Sequence, residues 1–188
     1  MSLVREYVDG LDTGLKEVVQ QDVEGIANII FDAYTKCNQV FIMGNGGSAS
    51  TASHFARDLS IGTAIAGKTR LKVSSLTDNV ALITAVANDT DYSFIFLDQL
   101  IAHLNKGDIV IGISASGNSP NVLKAIEYAR QQGAITIGLV GFGGGQLKEL
   151  AHKSIILSIR DYGIVEDVHL CLAHMISYLV KEKLANAA

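Results

Sequence analysis

His54 and Asp58 stand four residues apart, and Glu166, Asp167, His169 and His174 crowd one later stretch of the chain. Carboxylates and imidazoles are the side chains that carry protons near neutral pH, and in sets of three or four they hold zinc. A helical run through residues 54–58 puts His54 and Asp58 on one face. Arg57, adjacent in sequence, is turned about 100° away on the same helix. Such a pair, taken on spacing alone, reads better as a solvated surface couple. His174, set among Leu170, Leu172, Ala173, Met175 and Ile176, has the surroundings of a core histidine. Its helix nevertheless follows the last strand, on the side of the two turns described next. His103 and His152 lie near segment ends and read as surface residues.

Two Ser/Gly-rich turns supply a second kind of chemistry. Gly44-Asn45-Gly46-Gly47-Ser48 and Ser114-Ala115-Ser116-Gly117-Asn118-Ser119 each lie between an apolar run and a helix-like run. Hydroxyls and glycine-freed N–H groups at a helix N-terminus make an anion site. In the second turn Ser119 is a natural N-cap and Pro120 suits the first helical position. A capped turn has no need of Ser114 and Ser116, so three hydroxyls are available to one anion. No Lys or Arg lies in the turn, which favours a sugar monophosphate over a triphosphate. The first turn also fits the G-x-G-x-x-A pattern of dinucleotide sites, but no acidic residue follows about 20 positions on. Asp78 comes 34 residues after Gly44 and is expected to open a helix. A Walker motif is excluded because no Gly-Lys-Ser/Thr follows. Gly141-Phe142-Gly143-Gly144-Gly145 reads as a flexible turn.

The elements that must hold these groups alternate. Leu3, Val8, Leu11 and Leu15 recur at helical spacing, and Asp22 offers an N-cap to a second helix over 23–36. Strands are predicted at 39–43, 71–74, 108–113, 134–140 and 154–159. Helices start near Ser48, Asp78, Tyr92, Ser119 and Gly145, and the last spans 165–184. Alternation of this kind means crossovers and a parallel sheet covered on both faces. The expectation is a three-layer α-β-α sandwich with a five-stranded parallel sheet in flavodoxin-like order. It forms a single domain over 1–188, with N-terminal helices over 1–36 and an α/β core over 37–188. Two amphipathic helices exceed what the sheet needs for cover, and the pattern fits equally a surface facing another subunit and a simple cap on one sheet face.

Composition sets the outer bounds. A chain of 188 residues, 48% hydrophobic, is long enough for one substantial core. A formal charge of -4 with no large Lys/Arg cluster argues against nucleic acid. No apolar stretch approaches the ~18 residues of a membrane span, and the first residues lack the apolar core of a signal peptide. Cys37 and Cys171 show no CxxC spacing and read as two buried thiols of a reducing, cytoplasmic protein.

Taken together, Gly44-Asn45-Gly46-Gly47-Ser48 with His54-Phe55-Ala56, Ser114-x-Ser116-Gly117-Asn118-Ser119, and Glu166-Asp167-x-His169 with His174 resemble the sugar isomerase (SIS) domain family. Within it the chain is most similar to the phosphoheptose (sedoheptulose-7-phosphate) isomerases. The similarity runs over nearly the whole chain and extends to Thr77-Asp78-Asn79 and Asn88-Asp89. It implies an aldose–ketose isomerase that converts sedoheptulose 7-phosphate to D-glycero-D-manno-heptose 7-phosphate through an enediol, for bacterial lipopolysaccharide. It also implies a homotetramer with sites at subunit junctions. Ser48, Ser114, Ser116 and Ser119 would hold the phosphate, in a turn completed by Gly46 and Gly47, and Asn45 and Asp89 would contact the sugar. Asp58 or Glu166 would move the proton, with His174 as the opposite acid/base. Zinc, where the family carries it, would sit among His54, Asp58, Glu166 and His174.

The chain departs from that pattern where the chemistry is. The family's isomerases carry Glu at the position of Asp58 and Gln at that of Glu166, and Gly163 replaces an acidic residue found in some of them. A carboxylate one methylene shorter must come closer or act through water. Glu166 and His174 are eight residues apart, about 12 Å along a straight helix. One ion reaches both only at full stretch or across subunits. The alternative that the resemblance carries is a non-catalytic SIS protein binding a sugar phosphate or the replication initiator DnaA.

Overall fold

Val40, Phe41, Ile42 and Met43 are apolar on consecutive positions, so a strand made of them needs cover on both faces. In the computed structural model, which describes residues 2–187, this run lies in β1 (Gln39–Gly44). It joins β2 (Lys72–Ser75), β3 (Ile109–Ser114), β4 (Ile135–Val140) and β5 (Lys153–Ile156) in one all-parallel sheet of order β2-β1-β3-β4-β5. The three central strands are almost wholly buried, whereas the edges β2 and β5 carry Lys72, Ser74 and Ser75, and Lys153 and Ser154. Polar and charged residues on an edge discourage further strand pairing. This is the expected flavodoxin-like sandwich.

Eight helices complete it among the described residues: α1 (Leu3–Lys16), α2 (Gln20–Thr35), α3 (Gly47–Arg57), α4 (Val80–Asp89), α5 (Leu97–His103), α6 (Pro120–Gln131), α7 (Leu147–Leu150) and α8 (Tyr162–Asn186). One face of the sheet is covered by α2, α3 and α8, whose Ile26, Ile30, Phe55, Val165 and Leu172 share a core with Ile42, Ile111 and Ile137. The other face packs Phe41, Met43 and Val110 against Phe96, Leu100, Val122, Ile126 and Leu147. Helix α1 lies outside this sandwich against α8, with Gly14 its one buried residue.

Several boundaries differ from the sequence expectations. Helix α2 begins at Gln20 after Val19, so Asp22 does not cap it; Asp22 lies in the first turn and pairs with Lys153 at 3.1 Å. Helix α4 is capped by Asn79, whose Oδ1 accepts from the Leu82 N–H at 3.1 Å; Asp78 does not cap it. The two thiols are not buried as expected. Cys37 is exposed at a positive φ of 59°, and Cys171 is half-buried, where desolvation raises its pKa. The expectation on apolar length also fails. Helix α8, with 25 residues and a mean hydropathy of 1.3 over its most apolar window, is long and apolar enough to cross a membrane by length and composition. Half of that window is buried inside the fold, because α8 is the central cover of one sheet face.

His169 is fully buried in that helix, and neither ring nitrogen has a hydrogen-bond partner. The Val140 carbonyl pulls its pKa upward without meeting hydrogen-bond geometry, but burial dominates and pushes the imidazole down to about 4. Folded protein therefore keeps His169 neutral while the unfolded chain takes up a proton, so stability falls as pH drops from about 6.5 towards 4. Urea unfolding at pH 7 and pH 4 should show His169→Leu sparing roughly 3 kcal/mol of the acid-induced loss seen in the parent protein.

Candidate functional site

The chain runs from β1 outward to β2 and then returns past β1 to β3, so the connections leave adjacent strands in opposite directions. Such a reversal opens a crevice at the carboxyl ends of the two strands. Both Ser/Gly turns sit there, one after β1 and one after β3, leading into α3 and α6. A cavity of about 140 Å³ lies between them, lined by Asn45, Ser48, Ser114, Ser116, Ser119, Tyr162 and Glu166 among others.

Ser119 occupies the cap position of α6, yet its side chain makes no capping bond; its Oγ lies 3.2 Å from Ser114 Oγ. The hydroxyl is thereby released from helix duty and turned into the cavity. Ser114 Oγ also accepts from the Gly117 N–H at 3.1 Å, and Ser116 Oγ accepts from the Asn118 N–H at 3.2 Å. The two turns are joined by a reciprocal amide pair. Asn45 Nδ2 donates to Asn121 Oδ1 at 2.9 Å, and Asn121 Nδ2 donates back to Asn45 Oδ1 at 2.8 Å. Tyr92 donates its hydroxyl to the same Asn45 oxygen at 3.0 Å. Gly46 and Gly47 leave the backbone of the first turn exposed, and Ser48 is buried behind them.

Glu166 belongs to this crevice. Its carboxylate covers Gly47 so closely that a Cβ there would stand 2.1 Å from Oε2. The negative group thus rests on the first turn of α3, where the helix dipole favours it. Helix α8 is started here by Asp161, which accepts from the Ile164 N–H at 3.0 Å. Asp167 accepts from the Tyr7 hydroxyl of α1 at 2.8 Å, and that bond raises the Tyr7 pKa.

Further along α3 and α8 lies a separate cluster. His54 Nε2 and His174 Nε2 are 2.8 Å apart, and Asp58 Oδ2 stands 3.2 Å from the first and 3.7 Å from the second. All three donors fall within 4.8 Å of one another. Two unprotonated imidazole nitrogens cannot sit this close unless a proton or a cation lies between them. Zinc at about 2.0–2.1 Å from each donor spaces tetrahedral ligands roughly 3.3 Å apart, so this nitrogen and carboxylate set fits such an ion after small shifts. Three protein ligands also leave the open position that a catalytic ion needs.

Not every sequence candidate joins the cluster. Glu166 lines the serine crevice instead, eight residues earlier on α8. Asp89 ends α4, exposed and accepting from Asn88 Nδ2 at 2.8 Å, outside the lining of that crevice. Arg57 is not turned away from Asp58 as helical spacing predicts; its long side chain folds back, placing Nη1 2.7 Å from Asp58 Oδ1. Asn121, Tyr162 and Ser177 were not singled out from sequence. Asn121 had a legible signal, an amide in the first turn of the helix that Ser119 and Pro120 open. Tyr162 and Ser177 had none, because only the fold brings them to these cavities.

Residues 6–141 match the family model of the SIS domain. The chain belongs to the SIS domain family. Among its relatives, the phosphoheptose isomerase of Citrifermentans bemidjiense is 37% identical over 92% of this chain and 89% of its own. The probable phosphoheptose isomerase of Thermoplasma acidophilum is 37% identical over 92% and 96%. Among solved SIS-fold structures, that of the Neisseria gonorrhoeae phosphoheptose isomerase superposes with a TM-score of 0.86 at 24% identity, covering 95% of each chain.

The two turns of this SIS domain differ in how much room they leave. At Gly117, φ is +66°, and an added Cβ would lie 2.1 Å from the Gly144 carbonyl oxygen; at Gly46, φ is +56° and the space is open. Gly46→Ala should therefore cost about 1–3 kcal/mol of stability from the backbone alone, since φ 56° with ψ −124° is a region that almost only glycine adopts. Gly117→Ala should cost clearly more, and comparison of their urea midpoints checks the order.

Proposed function

We propose that the protein is an aldose–ketose isomerase acting on sedoheptulose 7-phosphate and D-glycero-D-manno-heptose 7-phosphate. The observation that carries the reading is the serine crevice and the His54–Asp58–His174 cluster on the same pair of helices, in a chain whose relatives are named phosphoheptose isomerases. Phosphate binds to Ser48, Ser114, Ser116 and Ser119 at the N-terminus of α6, by hydrogen bonds and dipole without a basic clamp, since the Glu166 carboxylate already covers the first turn of α3. Asn45 and Glu166, which line the crevice, hold hydroxyls of the sugar.

Length supports a seven-carbon substrate. From Ser48 to His54 along α3 is about 9 Å, and from Glu166 to His174 along α8 about 12 Å. An extended chain gains roughly 1.2 Å per bond, so the eight bonds from C1 to phosphorus span on the order of 9 Å. With phosphate in the crevice, the carbonyl end reaches the cluster. There, with no ion bound, Asp58 Oδ2 moves the proton between C1 and C2, and His174 Nε2 moves the matching proton between the two oxygens. When bound, a zinc ion held by His54, Asp58 and His174 would polarise the carbonyl oxygen, the service that His174 otherwise performs by donating a proton.

The working form in this reading is a cytoplasmic homotetramer that supplies surface polysaccharide. Supporting association, α1 exposes Leu3, Val4 and Val8, and α4 carries Val80, Leu82, Ile83 and Val86 without burying any of them fully. Apolar patches of this kind mark contact surfaces. Light scattering should give four times the 20.0 kDa of one chain, and a monomer at micromolar concentration would remove the tetramer.

Incubation of zinc-loaded protein with sedoheptulose 7-phosphate, followed by NMR, should show the aldose. Asp58→Ala and His174→Ala should each lower kcat by at least about 10²-fold. Ser119→Ala should raise KM about tenfold with kcat little changed, as loss of a uniform binding contact does. Tight binding of the sugar without turnover would replace this reading with that of a non-catalytic sugar-phosphate-binding protein.

A further inference from the structure

Helix α3 does not simply stop after Arg57. Its last turn widens into a π-helical turn, Asp58–Gly62. Single π turns cluster at functional sites, where the extra residue re-aims a side chain. Asp58 opens this one, and its two carboxylate oxygens face different partners. Oδ2 faces the two histidine nitrogens at 3.2 and 3.7 Å, while Oδ1 receives Arg57 Nη1 at 2.7 Å. The Asp58 side chain is 12% exposed and that of Arg57 65%. The carboxylate therefore has little water to turn to, and the arginine reaches it from outside.

An arginine here is at first sight misplaced. Its positive charge stands beside a donor set suited to a cation, which charge alone disfavours. What it offers is geometry. A carboxylate bound through one oxygen occupies one ligand position, whereas one that swings to grip with both would fill the position left for substrate.

Resting on the reading of the cluster given above, we propose that Arg57 is a positioning residue that holds Asp58 Oδ1, so that Oδ2 alone faces His54 and His174. This matters more for an aspartate than for a longer glutamate. With one methylene fewer, Asp58 has less freedom to recover a misaligned oxygen, and small misplacements are costly.

The test titrates the purified protein with Co²⁺ in the absence of sugar and follows its visible spectrum, for the parent, Arg57→Ala and Arg57→Lys. Removing a partner that orients a metal-bound group typically lowers affinity 10–100-fold, and a loss in that range is expected for Arg57→Ala, together with a weaker, shifted spectrum from altered coordination. Arg57→Lys should recover part of the affinity by donating to Oδ1. In turnover, Arg57→Ala should lower kcat about tenfold while KM stays within about twofold. The urea midpoint should move little, since Arg57 is itself 65% exposed and Asp58 keeps its contacts with the two histidines. Parent protein that takes up no Co²⁺, or Arg57→Ala that binds it as tightly with an unchanged spectrum, overturns the proposal. Turnover by a protein with either result would leave the isomerase reading standing. A metal effect without turnover would do the reverse.

Discussion

A parallel sheet whose central strands are buried on both faces has one place where its connections part, and most of this molecule follows from it. β1 sends its helix to one face and β3 sends its helix to the other. Helices α3 and α6 therefore begin side by side over adjacent strands with their N–H ends facing the gap. The concentration of Ser and Gly in those two turns is what such an arrangement requires. Small residues let the backbones approach, and hydroxyls complement the helix ends without adding charge. The Asn45–Asn121 amide pair then makes one body of two loops that are 76 residues apart in sequence.

The fold and the crevice were largely legible in the sequence. Continuous apolar strands, the Ser119-Pro120 helix start and the repeated Gly/Ser turns each have a local physical cause, and local causes can be read without coordinates. What spacing could not give was contact between helices. Spacing along α3 paired His54 with Asp58, whereas His174 joined them only through the family resemblance, and the packing of α3 on α8 is its physical cause. The same packing leaves Glu166 at the other end, over Gly47. Arg57 shows the limit most clearly. Helical periodicity fixes the direction of a Cβ, whereas four further bonds and a π turn decide where a guanidinium ends. Capping was misread at Asp78 because Asn79 stands beside it and takes the cap, and at Asp22 because α2 starts after Val19 with no side-chain cap at all.

His169 shows that the site-bearing helix is tuned for burial before chemistry. A neutral, unpartnered imidazole lies in the core five residues from His174, which faces a cavity. The two residues are of one type, and helix face alone separates their fates. This is why residue identity in a run such as Glu166–His174 cannot assign roles by itself.

Helix α4 buries none of its ten residues fully, although Ile83, Val86 and Ala87 lean against the second core. Isolated helices shorter than about 12–15 residues are marginal in water, so this segment draws its order from those few contacts on its inner face. Local opening starts where buried contacts are fewest, which makes this helix the place for the fold to fray first. A protease acting on transiently opened chains would therefore find its foothold here before it reached the sheet.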